Sequence, residues 1–152
     1  MMQFVSSMLV SLMLVFVLFS VFWATIFSGY IQYYGIAVFF NPFFMNVFNP
    51  YAFAFFVAIF GIGFVIPFIN KLFKLLFIAL LGGTLLLFIP QFGKTAGEIL
   101  LSKEYTLDIN EHAQNVRGLY EDKGYIVYLK EDSDDFETRK RNLVYYQKPT
   151  QE

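Results

Sequence analysis

YAFAFFVAIFGIGFVIPFIN (residues 51–70), KLFK (71–74) and LLFIALLGGTLLLFIP (75–90) run consecutively through the middle of the chain. Two apolar runs, each near membrane length, flank a short patch holding Lys71 and Lys74. These are the only formally charged side chains in residues 1–90. A helix needs about 20 apolar residues to cross a bilayer. Two such runs joined by a charged, minimal turn have the pattern of a transmembrane helical hairpin.

Composition extends this reading to the rest of the chain. Of the 152 residues, 57% are apolar and 21% aromatic, with 21 Phe. A soluble domain of this size has no interior large enough for that apolar surface, so lipid must cover much of it. The net charge is −1, but its distribution is uneven: all twelve acidic residues lie after Pro90. The chain therefore divides into a membrane domain (1–90) and a small water-facing part. The absence of Cys removes disulfides, thiolate metal sites and Cys nucleophiles.

The fold expected is integral membrane and α-helical. Three transmembrane helices, plus a short interfacial or re-entrant helix, precede a small C-terminal antiparallel β module. The first span covers about 4–28, too long and uniform for a signal-peptide core, and Met-Met-Gln before it carries no Lys or Arg. Its small residues recur at Ser7 and Ser11, then at Ser20, Ala24 and Ser28, a spacing that lets another helix approach one face. The second span, about 51–69, has Ala54, Ala58 and Gly61 on one ridge. The third, about 72–89, carries Ala79 and Gly83, and the two are expected to pack through these faces.

Between the first two spans, 29–49 reads GYIQYYGIAVFFNPFFMNVFN. Tyr30, Tyr33 and Tyr34 suit the membrane–water boundary. Asn before Pro favours a helix start, because Asn caps and Pro fits the first turn. Asn41 should therefore open a short helix ending near Val47, and Asn49 the second span. The segment is too short to cross alone, which favours an interfacial connector. Re-entry, with Asn41, Asn46 and Asn49 as polar lining, is the alternative.

After Pro90, residues 91–103 read as an amphipathic connecting helix with a Thr95–Glu98 capping box. Residues 104–152 read as the β module, with strands near 105–109, 114–120, 124–130 and 141–147. A hairpin is expected around Glu121–Gly124, and Asp132–Arg139 reads as a charged loop.

Little in this chain suggests chemistry. His112 is the sole histidine, so one chain cannot build a His-based metal cluster. The acidic run Glu131–Asp135 lacks the glycine and bidentate Glu of an EF-hand loop. Arg139-Lys-Arg141 can meet phosphate or anionic lipid heads, but flanking acids favour local pairing. No span contains Asp, Glu, Arg or His, against a charged ion relay. No cofactor, metal or nucleic acid is expected; the partners expected are the bilayer and other membrane proteins, with a homo-oligomer as a further option.

These features suggest a non-enzymatic accessory or assembly subunit of a larger membrane complex, the β module making protein contacts. A small channel or pore-forming homo-oligomer and a membrane immunity or exclusion protein are the alternatives. Lys71 and Lys74 favour a cytoplasmic N terminus and a periplasmic C-terminal module in a bacterial inner membrane, whereas Lys94 and Lys103 argue the other way.

Overall fold

The computed structural model describes residues 2–109, 112–130 and 135–148. The first helix, α1 (Met2–Ile26), continues through a π-helical turn at Phe27–Ile31 into α2 (Gln32–Tyr34). Together Gln3–Tyr34 form 32 residues of nearly continuous helix. Gly35 ends it in the left-handed conformation at φ 72°, which a residue without Cβ adopts readily.

The first helix thus reaches beyond the expected boundary at residue 28. Tyr30 and Tyr34 are buried inside the protein. A short helix α3 (Phe40–Val47) follows, then α4 (Pro50–Val65), the two bent by 76°. α3 begins at Phe40, and Asn41 is an exposed residue inside it. Asn49 is the side chain that caps, its Oδ1 accepting from the Tyr51 and Ala52 N–H groups at 3.0 and 3.1 Å.

The break between the hairpin helices falls earlier than expected. α4 ends at Val65, and α5 runs Pro67–Leu86. Pro67 fits the first helical turn and forces the residue before it extended, as Ile66 is at ψ 115°. Lys71 and Lys74 therefore sit on the opening turns of α5, outside the connection itself. Pro67, inside the expected second span of about 51–69, thus lies at a helix boundary.

α4 runs antiparallel to α1. Ser7 Oγ donates to the Gly61 carbonyl at 3.0 Å and Ser11 Oγ to the Val57 carbonyl at 2.8 Å. Aromatic edges fill the rest of this seam, with Phe19 against Phe53 and Phe56. Phe60 is buried at its centre, against Phe73 and Phe77 of α5. Gly63 allows the Phe73 ring to lie on the α4 backbone, because a Cβ there would collide with the ring.

α6 (Pro90–Leu101) returns across the π-helical turn, and four strands follow: β1 (Lys103–Ile109), β2 (His112–Glu121), β3 (Tyr125–Leu129) and β4 (Leu143–Gln147). They form one antiparallel sheet in the order β1-β2-β3-β4. A register shift between Gly118 and Tyr120 lets consecutive Leu119 and Tyr120 both join the cluster against the helices. That cluster includes Ile26, Tyr30, Phe43 and Val127, so sheet and helices share one core. The opposite sheet face gathers a second cluster around Leu107, Ile126 and Tyr128.

Part of the expected charged loop is helical: α7 (Phe136–Arg141) lies between β3 and β4, with Asp135 accepting from the Thr138 N–H at 2.8 Å. Its composition hides a complete short-helix grammar, an Asp cap, then Glu137, then three basic residues in the last turn. The remainder of the acidic run, 131–134, lies outside the described residues. The Thr95–Glu98 capping box is not used, since Pro90 opens α6 a turn earlier; Thr95 Oγ1 donates to the Gln91 carbonyl instead.

Candidate functional site

The features with most chemical content lie where α2, α3 and α6 meet the sheet. α6 reaches this place through glycine. A Cβ on Gly29 would stand 2.7 Å from Gly93 Cα, and one on Gly97 would collide with Tyr30. Gly93 and Gly97 are four residues apart, so they share a helix face that fits directly onto the π-helical turn. That contact seats Tyr30, whose hydroxyl donates to the Leu119 carbonyl of β2 at 2.9 Å.

Tyr33 and Tyr34 organise the polar side of this junction. Tyr34 Oη donates to Glu98 Oε1 at 2.7 Å, and Lys94 Nζ donates to Tyr33 Oη at 3.3 Å. The Arg139 guanidinium lies 3.9 Å from the Tyr33 ring centroid, and Lys94 Nζ 4.7 Å from it. Arg139 is itself buried. The basic cluster expected at 139–141 thus places its first member against aromatic faces, a cation–π arrangement.

A second polar group sits at the β2–β3 hairpin. Asn46 Nδ2 of α3 donates to the Glu121 carbonyl at 2.7 Å and to Tyr120 Oη at 3.2 Å. The Glu121 carboxylate accepts from Lys148 Nζ at 2.6 Å, Tyr105 Oη at 2.7 Å and Lys103 Nζ at 3.4 Å. These donors, Lys148 foremost and then Tyr105, hold its pKa down to about 2. Burial pushes the Tyr120 phenol up to about 12, and burial with the Glu121 contact raises Tyr105 as well. Around this group opens a cleft of about 330 Å³, floored by Val47, Leu100 and Leu101 and walled by Lys103, Lys123 and Lys148. A second cleft of about 360 Å³ lies between α1, α4 and α5, lined by Leu18, Phe22, Trp23, Phe56 and Leu80.

The residues singled out from the sequence are dispersed. Gly61 is buried in the α1–α4 seam, where a Cβ would meet Met8, while Ala54 and Ala58 are exposed. Ala79 and Gly83 are exposed too, and a Cβ on Gly83 would meet nothing within 4 Å. The small-residue ridges of α4 and α5 therefore do not pair; the two helices meet through Gly63 and aromatic rings nearer their connection. Ser20 and Ala24 are half-buried and Ser28 is exposed. Asn41 is exposed within α3, Asn46 docks the hairpin and Asn49 caps α4. His112 opens β2, two residues before the strand expected near 114–120. Among the described residues no group of three His, Cys, Asp or Glu could hold a metal ion.

Sequence reasoning missed Gly93-Lys-Thr-Ala-Gly97, although its four-residue spacing was the available signal. It also missed the Glu121 group, whose partners come from positions 16 to 75 residues away and leave no local pattern.

The fold defines a mostly helical protein with a C-terminal four-stranded sheet. Two of its helices, or three if the bent α3–α4 pair is one span, are long and apolar enough to cross a membrane, which fits an integral membrane protein. No protein-family model, curated protein or solved structure matches the chain.

Proposed function

We propose that this protein is a non-enzymatic accessory or assembly subunit of a larger complex in a bacterial inner membrane. All three apolar helical segments span the bilayer, the N terminus is cytoplasmic, and the β module stands on the periplasmic side. The carrying observation is the bareness of α5. Only 6% of its most apolar stretch is buried, and Gly82 and Gly83 open onto empty space. Small residues on an exposed membrane face allow another helix to approach closely, where association depends on packing. The titratable groups at the hairpin cleft bond one another, consistent with a structural role.

Extraction of the C-terminally tagged chain in mild detergent, followed by sizing and mass spectrometry, tests the reading. The expected result is a species well above the 17.7 kDa of one chain, containing a defined set of other proteins. Gly83→Ile should release those proteins. A clean monomer, or a homo-oligomer alone, would overturn the proposal.

A further inference from the structure

Two clefts of opposite character adjoin at one residue. Val47, the last residue of α3, lines both the lysine-walled cleft at the hairpin and the apolar cleft between α1, α4 and α5. The lining of the apolar cleft is almost wholly non-polar. Thr84 Oγ1 donates to its own helix at the Leu81 carbonyl, and Asn49 Oδ1 caps α4. What remains is hydrocarbon and aromatic surface, including Trp23 and Phe56, which suits an alkyl chain.

The upper cleft carries three lysines against two acids, Glu121 and Asp122. Glu121 is shared by Lys148 and Lys103, the latter through a longer, exposed contact of 3.4 Å. Lys123, on the rim, forms no ion pair among the described residues. An entering anion can therefore engage Lys123 and draw on Lys103 without dismantling the Lys148–Glu121 pair. The Asn46 amide already fixes the hairpin over α3, which keeps this wall in place.

We infer that the paired clefts form a binding site for one anionic phospholipid. Its phosphate lies between Lys103 and Lys123, and an acyl chain passes Val47 into the groove beside Trp23. Charge sets the preference for an anionic head, and the groove requires a tail. A free phosphate has no tail for the groove, and a zwitterionic lipid brings the same phosphate with an ammonium that opposes its approach to the lysines. Basic side chains at a membrane surface attract acidic headgroups in this way.

Trp23 is the only tryptophan and lines the groove, so its fluorescence reports occupancy. The purified full chain in bilayers is titrated with phosphatidylglycerol brominated on its acyl chains, and separately with phosphatidylcholine bearing the same chains. Half-maximal quenching should need about fivefold less phosphatidylglycerol, the scale set by one basic side chain. Lys103→Glu with Lys123→Glu should erase that difference, weakening phosphatidylglycerol far more than phosphatidylcholine. Lys123→Glu alone should reduce it, which guards against misfolding of the double variant. Ala52→Phe, projecting into the apolar cleft, should lower maximal quenching by both lipids. Equal curves for the two lipids in the native chain, or a difference that survives the double substitution, would overturn the assignment. So would displacement of brominated phosphatidylglycerol by inorganic phosphate alone.

Discussion

Glu121 is the residue on which the hairpin's polar contacts converge. Its carboxylate meets two ammonium groups and a phenol, and its own carbonyl accepts from Asn46. A folded pKa of about 2 lies below the ordinary value of 4.5. The ionised form is therefore favoured by folding: its contribution is present above pH 4.5 and is lost as pH falls toward 2. Its side chain is 34% exposed, and screening reduces the contribution to about 1 kcal/mol. Glu121→Gln should lower stability by that amount at pH 7 and flatten the acid limb of a pH–stability curve between pH 4.5 and 2. An acid limb identical to the native one would remove Glu121 from this role. Tyr30 carries a different residue-scale expectation. Tyr30→Phe leaves the buried Leu119 carbonyl without its donor, at a cost of about 1–2 kcal/mol, read as a shift in the unfolding midpoint. The two cases differ in how much the sequence reveals. Asn49-Pro50 reads as a helix start because the capping bonds span two and three residues. Asn46 looks equally polar, but its partners are 74 and 75 residues away, so only the fold can supply them.

Helix packing follows the close-approach rule, but not at every position where the spacing occurs. Ser7 and Ser11 meet α4, and Gly93 and Gly97 meet the π-helical turn, whereas Ala79 is exposed and a Cβ on Gly83 would meet nothing within 4 Å. Four-residue spacing shows where a backbone can come close, and topology decides whether one does. The order of apolar segments made the helices and the hairpin of strands legible, because each rests on a local period. The π-helical turn was not, since it packs on Gly93 and Gly97, which lie far along the chain. These contrasts give a paired test. Gly97→Val places side-chain atoms where the Tyr30 side chain lies and should destabilise the detergent-solubilised chain by about 2–3 kcal/mol. Gly83→Val faces open space and should leave the unfolding midpoint of the isolated chain within experimental error. If the two substitutions cost the same, α6 is not held through its glycine face.

For the molecule as a whole, the arrangement of helices fixes which groups share an end. Ser7 pairs with Gly61 and Ser11 with Val57, so α4 finishes near the start of α1, and α5 begins there with Lys71 and Lys74. The sheet packs at the far end, around Ile26, Tyr30 and Tyr34. A helix rises about 1.5 Å per residue, so Ser7 and Tyr30 are separated by roughly 35 Å, more than the hydrocarbon thickness of a bilayer. Lysines near the ends of spans are retained on the cytoplasmic side. Lys94 and Lys103 lie at the sheet end, where Glu98 and Glu121 pair with them, and they oppose the signal of Lys71 and Lys74. The Cys-free chain allows a direct reading with single introduced cysteines. In intact spheroplasts a membrane-impermeant maleimide should label Lys123→Cys at once and Lys71→Cys only after lysis. The reverse order would invert the orientation while keeping the architecture. Labelling of both from the same side would break the three-span arrangement itself, because no antiparallel path through α1, α4 and α5 brings the opening of α5 to the hairpin of the sheet.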